Sequence, residues 1–348
     1  MEVRALASMT SALYPLARAE GLRGLAAVLE KGNAGSGVAE CCYRCAVELL
    51  RDEDEGIRLA AVRLVGLCAE KFATREELGG DADQMDLVFL QLSSMARDMC
   101  AKVRTEAFNA LAKMQRVSDG VLLQSLSKKI IKTDTGSAPA KKLPPKLIFP
   151  CAAGIFAHGI EDEFYQVISF LFYQLISLKP SVVFFCFIVV IYSLQVRTAA
   201  CKTLGALSRF SNQYAQKALD LLMDMMNDDT EAVRLQTLET LLDMATYGHL
   251  SVQEKHMHMF LGILMDANVI VQNAARKILG SVKLPKLQMF KSALDGLIAG
   301  LEKNPEDQDI YRILFSIGKN HGSFSANIAK HLAKEVFLHC FLSIVFAF

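Results

Sequence analysis

The chain lacks an excess of charge of either sign, because its 38 lysines and arginines are balanced by 37 aspartates and glutamates. A formal net charge of +1 gives no global reason to expect binding to nucleic acid or to a membrane surface. The first 18 residues also lack the long apolar core and cleavage pattern of a secretory signal. Without such a signal, the nine cysteines indicate a protein of a reducing compartment.

Patterns that carry catalysis are also missing. The seven histidines lie in no metal-binding or nucleophile motif. His256 and His258 would diverge by about 200° on a helix, so we expect both to be exposed and not to chelate a metal. The glycine-rich residues 32–37 lack the Gly-Lys-Ser/Thr ending of a phosphate-binding loop. The sequence therefore predicts a protein that is not an enzyme, with no catalytic residue and no cofactor.

Cysteine is concentrated at one place only, Cys41-Cys42-Tyr43-Arg44-Cys45. A Cys-x-x-Cys pair could bind zinc or be redox-active, but zinc needs about four ligands and no second pair lies at a suitable spacing. Cysteines three residues apart on an apolar helix are more often core residues. We therefore predict no metal site here.

What the chain does contain is a repeated phrase. Five times an aspartate precedes an aliphatic–polar pair that opens a helix with small and aliphatic residues on one face. The pairs are Asp52 with Ile57-Arg58, Asp98 with Val103-Arg104, Asp162 with Val196-Arg197, Asp228 with Val233-Arg234, and Asp266 with Val271-Gln272. The spacing is five residues throughout once residues 167–195 are set aside. Such a repeat predicts stacked two-helix units.

Each residue of the phrase has a structural role in this interpretation. The aspartate lies in the turn between two helices, where its carboxylate can accept free N–H groups of the second helix. The arginine can reach the aspartate of a neighbouring repeat through charge-assisted hydrogen bonds. We name this series the aspartate–arginine ladder. It is a structural feature of the repeats and not an active site.

The spacing of the aspartate and the Val-Arg pair resembles that of HEAT repeats. Residues 156–166 joined to 196–200, and residues 218–228 followed by 231–236, are similar to the fourth subunit of the Integrator complex. Residues 57–64 and 102–107 fit the earlier repeats of that family. The resemblance spans roughly residues 38–335 with 167–195 removed. It implies an all-α fold, a HEAT-repeat (armadillo-type) α-solenoid.

The repeats divide the chain into segments. These are an N-terminal helical cap and loop at 1–37, HEAT repeats at 38–132, a Lys/Pro loop at 133–147, HEAT repeats at 148–335 interrupted by an apolar insert at 167–195, and an apolar tail at 336–348. By its composition, the Lys/Pro loop is interpreted as a solvated loop more readily than as a nuclear-import or nucleic-acid patch. No aromatic residue lies among the lysines from 128 to 146, so base stacking is not indicated. Apolar spacing also predicts helices over 5–18, 198–209, 231–246 and 252–264.

The insert has one charged residue, Lys179, in 29 residues. A membrane span needs about 20 continuous apolar residues, and Lys179-Pro180 divides this segment, although a kinked span stays open. A retained intron fits both ends, because valine codons begin with GT and the glutamine codon CAG ends with AG, matching Val167 and Gln195. The tail also begins with a valine, Val336, and is interpreted as intron read-through.

A transcript amplified across codons 166 and 196 tests this interpretation. We expect a product in which Gln166 is followed directly by Val196. Genomic DNA without GT and AG at the two boundaries would contradict it.

The resemblance also implies a function. It implies a non-catalytic protein–protein scaffold of the Integrator cleavage module, which holds a pair of metallo-β-lactamase-type proteins and processes the 3′ ends of small nuclear RNAs. The plant member of the family is described as interacting with the transcription factor SHORT-ROOT, which adds a link to transcription-factor movement between cells. The expected location is the nucleus, with the cytoplasm left open, and neither direct nucleic-acid contact nor a membrane is indicated. An adaptin- or importin-like trafficking solenoid and a membrane-anchored repeat protein remain alternatives. The pattern does not indicate which surface binds a partner.

Overall fold

The computed structural model describes residues 2–31, 36–74, 82–129, 152–161 and 180–330. All regular secondary structure in these ranges is helical. The prediction of an all-α HEAT-repeat (armadillo-type) solenoid is confirmed. The chain forms two compact units, residues 1–225 and 226–348.

The first unit consists of helices that pack as successive hairpins. They are α1 (Glu2–Thr10), α2 (Pro15–Glu30), α3 (Ser36–Leu49), α4 (Glu55–Ala73), α5 (Ala82–Met95), α6 (Ala101–Leu111), α7 (Asp119–Leu126), α8 (Ile155–Ile160), α9 (Pro180–Leu207) and α10 (Asn212–Met225). The second helices of consecutive hairpins, α2, α4, α6 and α9, pack against one another in that order. This continuous row is the arrangement expected of stacked helical repeats.

The second unit repeats the same plan. Its helices are α11 (Glu231–Thr246), a 3-10 turn (Glu254–His256), α12 (Met257–Ile263), α13 (Val269–Ser281), α14 (Leu287–Lys303) and α15 (Gln308–Asn320). The second helices α11, α13 and α15 again pack in order, and the first helices α12 and α14 contact each other. Residues 322–330 are also helical.

The prediction of a single helix over residues 5–18 is wrong, because the chain turns before Pro15. The structure ends α1 at Thr10 and begins α2 at Pro15. Proline lacks an N–H and clashes with the preceding turn inside a helix, whereas it fits the first helical position. The hydrophobic pattern runs through this turn, so the boundary is marked by the proline alone.

Helix α9 begins at Pro180, well before the residue 198 at which the sequence predicted a helix start. Residues 182–191 contain neither glycine nor proline, so nothing in them interrupts a helix that starts at Pro180. The end of the insert is thus continuous with a repeat helix. Residues 167–179 and the Lys/Pro loop lie outside the described ranges, and the intron interpretation stays a prediction. Among the helices described, none is both long enough and apolar enough to cross a membrane.

Gly154 allows a close approach in the first unit. Its φ of 63° lies in the left-handed region, and its N–H donates to the carbonyl oxygen of Gln124 at 3.1 Å. A Cβ at this position would lie 2.9 Å from the Cα of Lys128. Only glycine adopts this conformation without cost, and here the neighbouring backbone also leaves no room.

We expect Gly154→Ala to lower the free energy of unfolding by about 2 kcal/mol, from the left-handed backbone and the clash together. Gly120→Ala is the matched control, because a Cβ there meets nothing within 4 Å and Gly120 lies in α7. Alanine should raise helix stability at that site by up to about 1 kcal/mol. Urea unfolding of the two variants gives the comparison, and equal effects would contradict the role of Gly154.

Candidate functional site

Four arginines of the aspartate–arginine ladder occupy the same position in the second helices of their hairpins. Arg18, Arg58, Arg104 and Arg234 are each the fourth residue of their helix. A side chain in the first turn of a helix can reach both the preceding loop and the neighbouring helix. Arg58 and Arg234 bond both to the loop before their own helix and to the aspartate of the next repeat.

Arg58 shows the geometry most fully. Its Nε and Nη2 donate to the two carboxylate oxygens of Asp98 at 2.7 and 3.0 Å. Its Nη1 donates to the carbonyl oxygens of Asp52 and Glu53 at 2.9 and 3.0 Å. Asp98 also accepts the N–H of Cys100 at 2.8 Å. One guanidinium therefore joins its own turn to the turn of the next repeat with bidentate, charge-assisted hydrogen bonds.

The same contacts recur in both units. Arg234 donates to Asp266 at 2.8 and 3.3 Å and to the carbonyl oxygen of Asp228 at 2.9 Å. Arg18 donates to Asp52 at 2.8 and 3.1 Å. Sequence reasoning missed Arg18, because the residue six positions before it is Ala12 and the phrase has no aspartate there. Its position after Pro15 was the available signal.

The middle of the ladder is described only in part. Arg104 is buried and donates to the carbonyl oxygens of Asp98 and Met99 at 2.9 and 3.1 Å. Arg197 is also buried, and its Nη1 donates to the hydroxyl of Ser193 at 3.0 Å. Asp162, which the repeated spacing groups with Val196-Arg197, lies outside the described residues. The ladder contact of Asp162 therefore stays a prediction.

The last rung departs from the predicted phrase. Gln272 donates to the carbonyl oxygen of Asp266 at 2.6 Å and accepts from Arg276 at 3.0 Å. Arg276, one turn later, donates to the carboxylate of Asp307 at 2.9 Å. Glutamine is neutral, so the positive charge at this end of the ladder belongs to Arg276, which lies four residues later on the same helix face. The aspartates of the repeated pattern lie two residues before the N-cap of the helix that follows, whereas Asp307 is itself the N-cap of α15. The spacing therefore did not identify Asp307.

Arg18 and its surroundings lower the pKa of Asp52. Burial is the largest single influence and by itself raises this pKa. The hydrogen bonds from Arg18 and from the Asp54 N–H, with the charges of Arg18 and Arg58, together outweigh it. The carboxylate therefore stays ionised in the fold to a lower pH than in the unfolded chain.

A group whose pKa is lower in the folded state stabilises the fold above its unfolded pKa, about 3.9 for aspartate, and this stability is lost as pH falls through the folded-state value. We expect Asp52→Asn to destabilise the protein at neutral pH. The difference from wild type should shrink as pH falls below about 3.9. Urea unfolding across a pH series checks it, with Glu53→Gln, an exposed carboxylate on the same turn, as control. A difference that grows in acid would contradict the ladder contact.

Cys41, Cys42 and Cys45 lie on α3, and Cys68 lies on α4. Burial raises the pKa of Cys42 to about 11 and also raises the pKa of Cys68 and Cys45. These thiols are protonated at neutral pH, whereas metal binding and redox chemistry use the thiolate. Within the described ranges, no three histidine, cysteine or acidic side chains are placed to hold a metal ion.

Two histidines have structural roles that the sequence did not indicate. The expectation of exposure is wrong for His256, which is 4% exposed and accepts the N–H of Gln253 through Nδ1 at 3.2 Å. His258 is exposed. His321 is also buried, accepts the N–H of Leu284 at 2.7 Å through Nε2, and lies against Phe290. His321 thus satisfies a buried backbone N–H, and His256 accepts a part-buried one.

A surface depression of about 370 Å³ lies beside the ladder in the second unit. Its lining includes Asp228, Arg234 and Asp266, whose polar groups already bond within the ladder. The lining has no serine, cysteine or histidine. It therefore has no Ser–His or Cys–His pair of the kind used in covalent catalysis.

The sequence of this chain is similar to those of known proteins. No protein-family model matches the chain. Protein SIEL of Arabidopsis thaliana is 34% identical over 93% of this chain, and Integrator complex subunit 4 of Homo sapiens is 27% identical over 85% of it. A solved structure, a designed armadillo repeat protein in complex with the peptide (KR)4, covers 81% of this chain and 100% of its own, with 14% identity and a TM-score of 0.46.

The chain spans about a third of the length of these curated relatives, 32% of Protein SIEL and 31% of the human subunit. Within that third the correspondence extends across nearly all of the chain. The human relative carries the name of the family that the repeats resemble in sequence. Over the part that it spans, the chain belongs to the family of Protein SIEL and Integrator complex subunit 4.

Proposed function

We propose that this chain is a non-catalytic protein–protein scaffold that works in an Integrator-type assembly. The observation that carries the proposal is the 34% identity to Protein SIEL over 93% of the chain, with Integrator complex subunit 4 as a second relative. The name of the second relative states membership of a complex. A subunit that supports other proteins needs a surface and no reaction centre.

The contacts of the ladder support a scaffold role. The guanidinium groups of Arg58 and Arg234 bond to groups of their own chain, and their acceptors are the aspartates and carbonyl oxygens of adjacent turns. These polar groups hold consecutive hairpins at a fixed rotation instead of facing a substrate. A rigid stack of hairpins presents an extended surface, which is how repeat proteins bind partners.

The finer assignment follows the family. The proposed partners are other Integrator subunits, including the metallo-β-lactamase-type endonuclease pair, and the proposed process is 3′-end formation of small nuclear RNAs in the nucleus. In a plant, the relationship to Protein SIEL adds a transcription factor as a partner and its movement between cells as a process. What supports these assignments is family membership.

Affinity purification of the full chain tests the proposal. A tagged chain is expressed in Arabidopsis thaliana cells and purified without denaturant, and the proteins bound to it are identified by mass spectrometry. We expect Integrator subunits, recovered from the nuclear fraction. Vesicle-coat proteins or import cargo in their place would favour the trafficking alternative, and a need for detergent would favour a membrane anchor.

A matched control separates specific binding from adhesion to exposed apolar surface. The variant Phe108→Ala removes a side chain that is fully buried between repeats and weakens the stack. Bound partners that need the folded scaffold are expected to be lost from this variant. Proteins that remain, or that increase, bind unfolded chain and would not support the proposed function.

A further inference from the structure

The first two residues of α13 differ from those of four other second helices. In α4, α6, α11 and α15, at least one of these two residues is charged. The charged residues are Glu55, Lys102, Glu231 and Asp309. In α13 the two residues are Val269 and Ile270, which we call the aliphatic pair, and each is 61% exposed. This turn therefore presents aliphatic surface where the four others present charge.

The aliphatic pair does not lie at an end of the stack. In the preceding repeat, Arg234 of α11 donates to Asp266, which lies in the turn before α13. On the other side, Arg276 of α13 donates to Asp307, which begins α15. The turn therefore has a described repeat packed on each side, and the aliphatic pair is exposed in that complete setting. Exposed aliphatic surface of this kind, with polar groups around it, is typical of an interaction site.

The depression of about 370 Å³ lies close to the aliphatic pair, since Asp266 in its lining is three residues before Val269. The lining contains three aspartates and one arginine, which leaves a formal charge of −2. The arginine is Arg234, and its guanidinium is already bonded to Asp266 and to the carbonyl oxygen of Asp228. Asp229 is exposed, and its carboxylate makes no hydrogen bond or ion pair within the described part of the chain. One carboxylate of the depression is therefore available to a partner.

Exposed carboxylates also border the aliphatic pair in the two neighbouring turns. Glu231 lies in the first turn of α11, and Glu306 lies in the loop before α15. Neither forms an ion pair with any residue that the structure describes. Lys303 offsets this charge at one point, where its Nζ lies 3.3 Å from the sulfur of Met265. Aliphatic surface with unpaired carboxylates around it is complementary to a segment that has both aliphatic and basic side chains.

We propose that the depression and the aliphatic pair together form a docking surface for a basic, aliphatic segment of a partner protein. One lysine or arginine of that segment lies in the depression against Asp229, and its aliphatic neighbours cover Val269 and Ile270. The volume is near the lower end of the range for small-molecule clefts, about 300–1,000 Å³, which suits one long side chain. The negative lining disfavours nucleic acid and anionic lipid by repulsion. The inference does not depend on the proposed Integrator assembly.

Fluorescence anisotropy of a labelled synthetic peptide with the full chain tests the docking surface. The probe is an octapeptide in which Arg-Arg-Leu-Leu occurs twice, so each face of the extended peptide has both side-chain types. The matched controls contain Glu-Glu-Leu-Leu or Arg-Arg-Ser-Ser in its place. We expect the probe to bind at least about ten-fold more tightly than either control, because it alone supplies both the charge and the aliphatic surface. A control that binds as tightly as the probe would overturn the proposal.

Substitutions on the docking surface locate the binding. Gly262 lines the depression, and a Cβ there meets nothing within 4 Å, so Gly262→Lys adds a cation without a clash. We expect this variant, and the pair Val269→Ser and Ile270→Ser, each to weaken binding of the probe by about ten-fold. Gly120→Lys, at an equally open glycine of the first unit, is the control and should leave binding unchanged. Unchanged helix content by circular dichroism, with unchanged binding in Gly262→Lys, would place the peptide elsewhere and overturn the proposal.

Sedimentation of the chain alone tests a second copy as the occupant of the docking surface. We expect a monomer at the concentrations used for anisotropy. Self-association that Gly262→Lys abolishes would show that another copy of this chain takes the surface, and it would overturn the proposal.

Discussion

Replacing Phe108 by alanine is expected to lower the free energy of unfolding by about 4 kcal/mol, near the middle of the range for buried phenylalanine. The ring is 0% exposed, and its centroid lies 5.6 Å from that of Phe156. Gly159 leaves room for the ring, since a Cβ at that glycine would collide with it. Phe156 lies in α8, and Thr203 of α9 donates a hydrogen bond to the carbonyl oxygen of Phe108 at 2.8 Å, so the cavity would form where α6 meets both helices.

Phe210→Ala is the matched control for this prediction, because that ring is 48% exposed in the same unit. Its loss should cost about 1 kcal/mol or less, since the side chain gives up less buried area on truncation. Urea unfolding followed by circular dichroism gives both values. Equal costs for the two phenylalanines would show that the packing around Phe108 does not hold the repeats together.

Removal of Arg58 has the second largest expected effect. We expect Arg58→Ala to cost about 3 kcal/mol, because it leaves the carboxylate of Asp98 buried without its bidentate partner. The Asp98 side chain is 8% exposed and that of Arg58 is 15% exposed. Two carbonyl acceptors, on Asp52 and Glu53, lose their donor as well. The loss is one of unpaired polar groups and not only of attraction between two charges.

Arg63 on the same helix provides the control. It lies 3.4 Å from Glu106, but its side chain is 59% exposed. Exposed ion pairs contribute little, so Arg63→Ala should change stability by less than about 1 kcal/mol. In the Arg58→Ala background, Asp98→Asn should cost less than it does in wild type, because its partner is already absent. Additive costs would mean that Arg58 and Asp98 do not act as a pair.

Much of the helix pattern could be predicted because its causes are local. Residues 231–246 were predicted as one helix, and α11 has these bounds. Residues 252–264 were also predicted as one helix, but the structure has a 3-10 turn at Glu254–His256 before α12. His256 accepts a backbone N–H in that turn, and the apolar spacing gives no sign of such a contact. Capping by a buried side chain therefore accounts for the difference.

The ladder was predictable as a pattern and less so in its members. The spacing selects Arg58 and Arg234, and the structure joins them to the aspartates of following repeats. Arg18 and Asp307 do not fit the phrase, although their contacts have the same chemistry. The distance along the chain between partners depends on loop lengths, which differ between repeats. A fixed spacing cannot find a partner whose position is set by packing.

By itself the sequence determines that this chain is a series of helical hairpins, because apolar periodicity, proline and aspartate act within a few residues of their own position. Which groups meet is decided by tertiary structure. Arg58 lies six residues after Asp52 but bonds only to its carbonyl oxygen, and it pairs with the carboxylate of Asp98, 40 residues away. The reason is the stacking of α4 on α6, which brings the next turn within reach of the guanidinium.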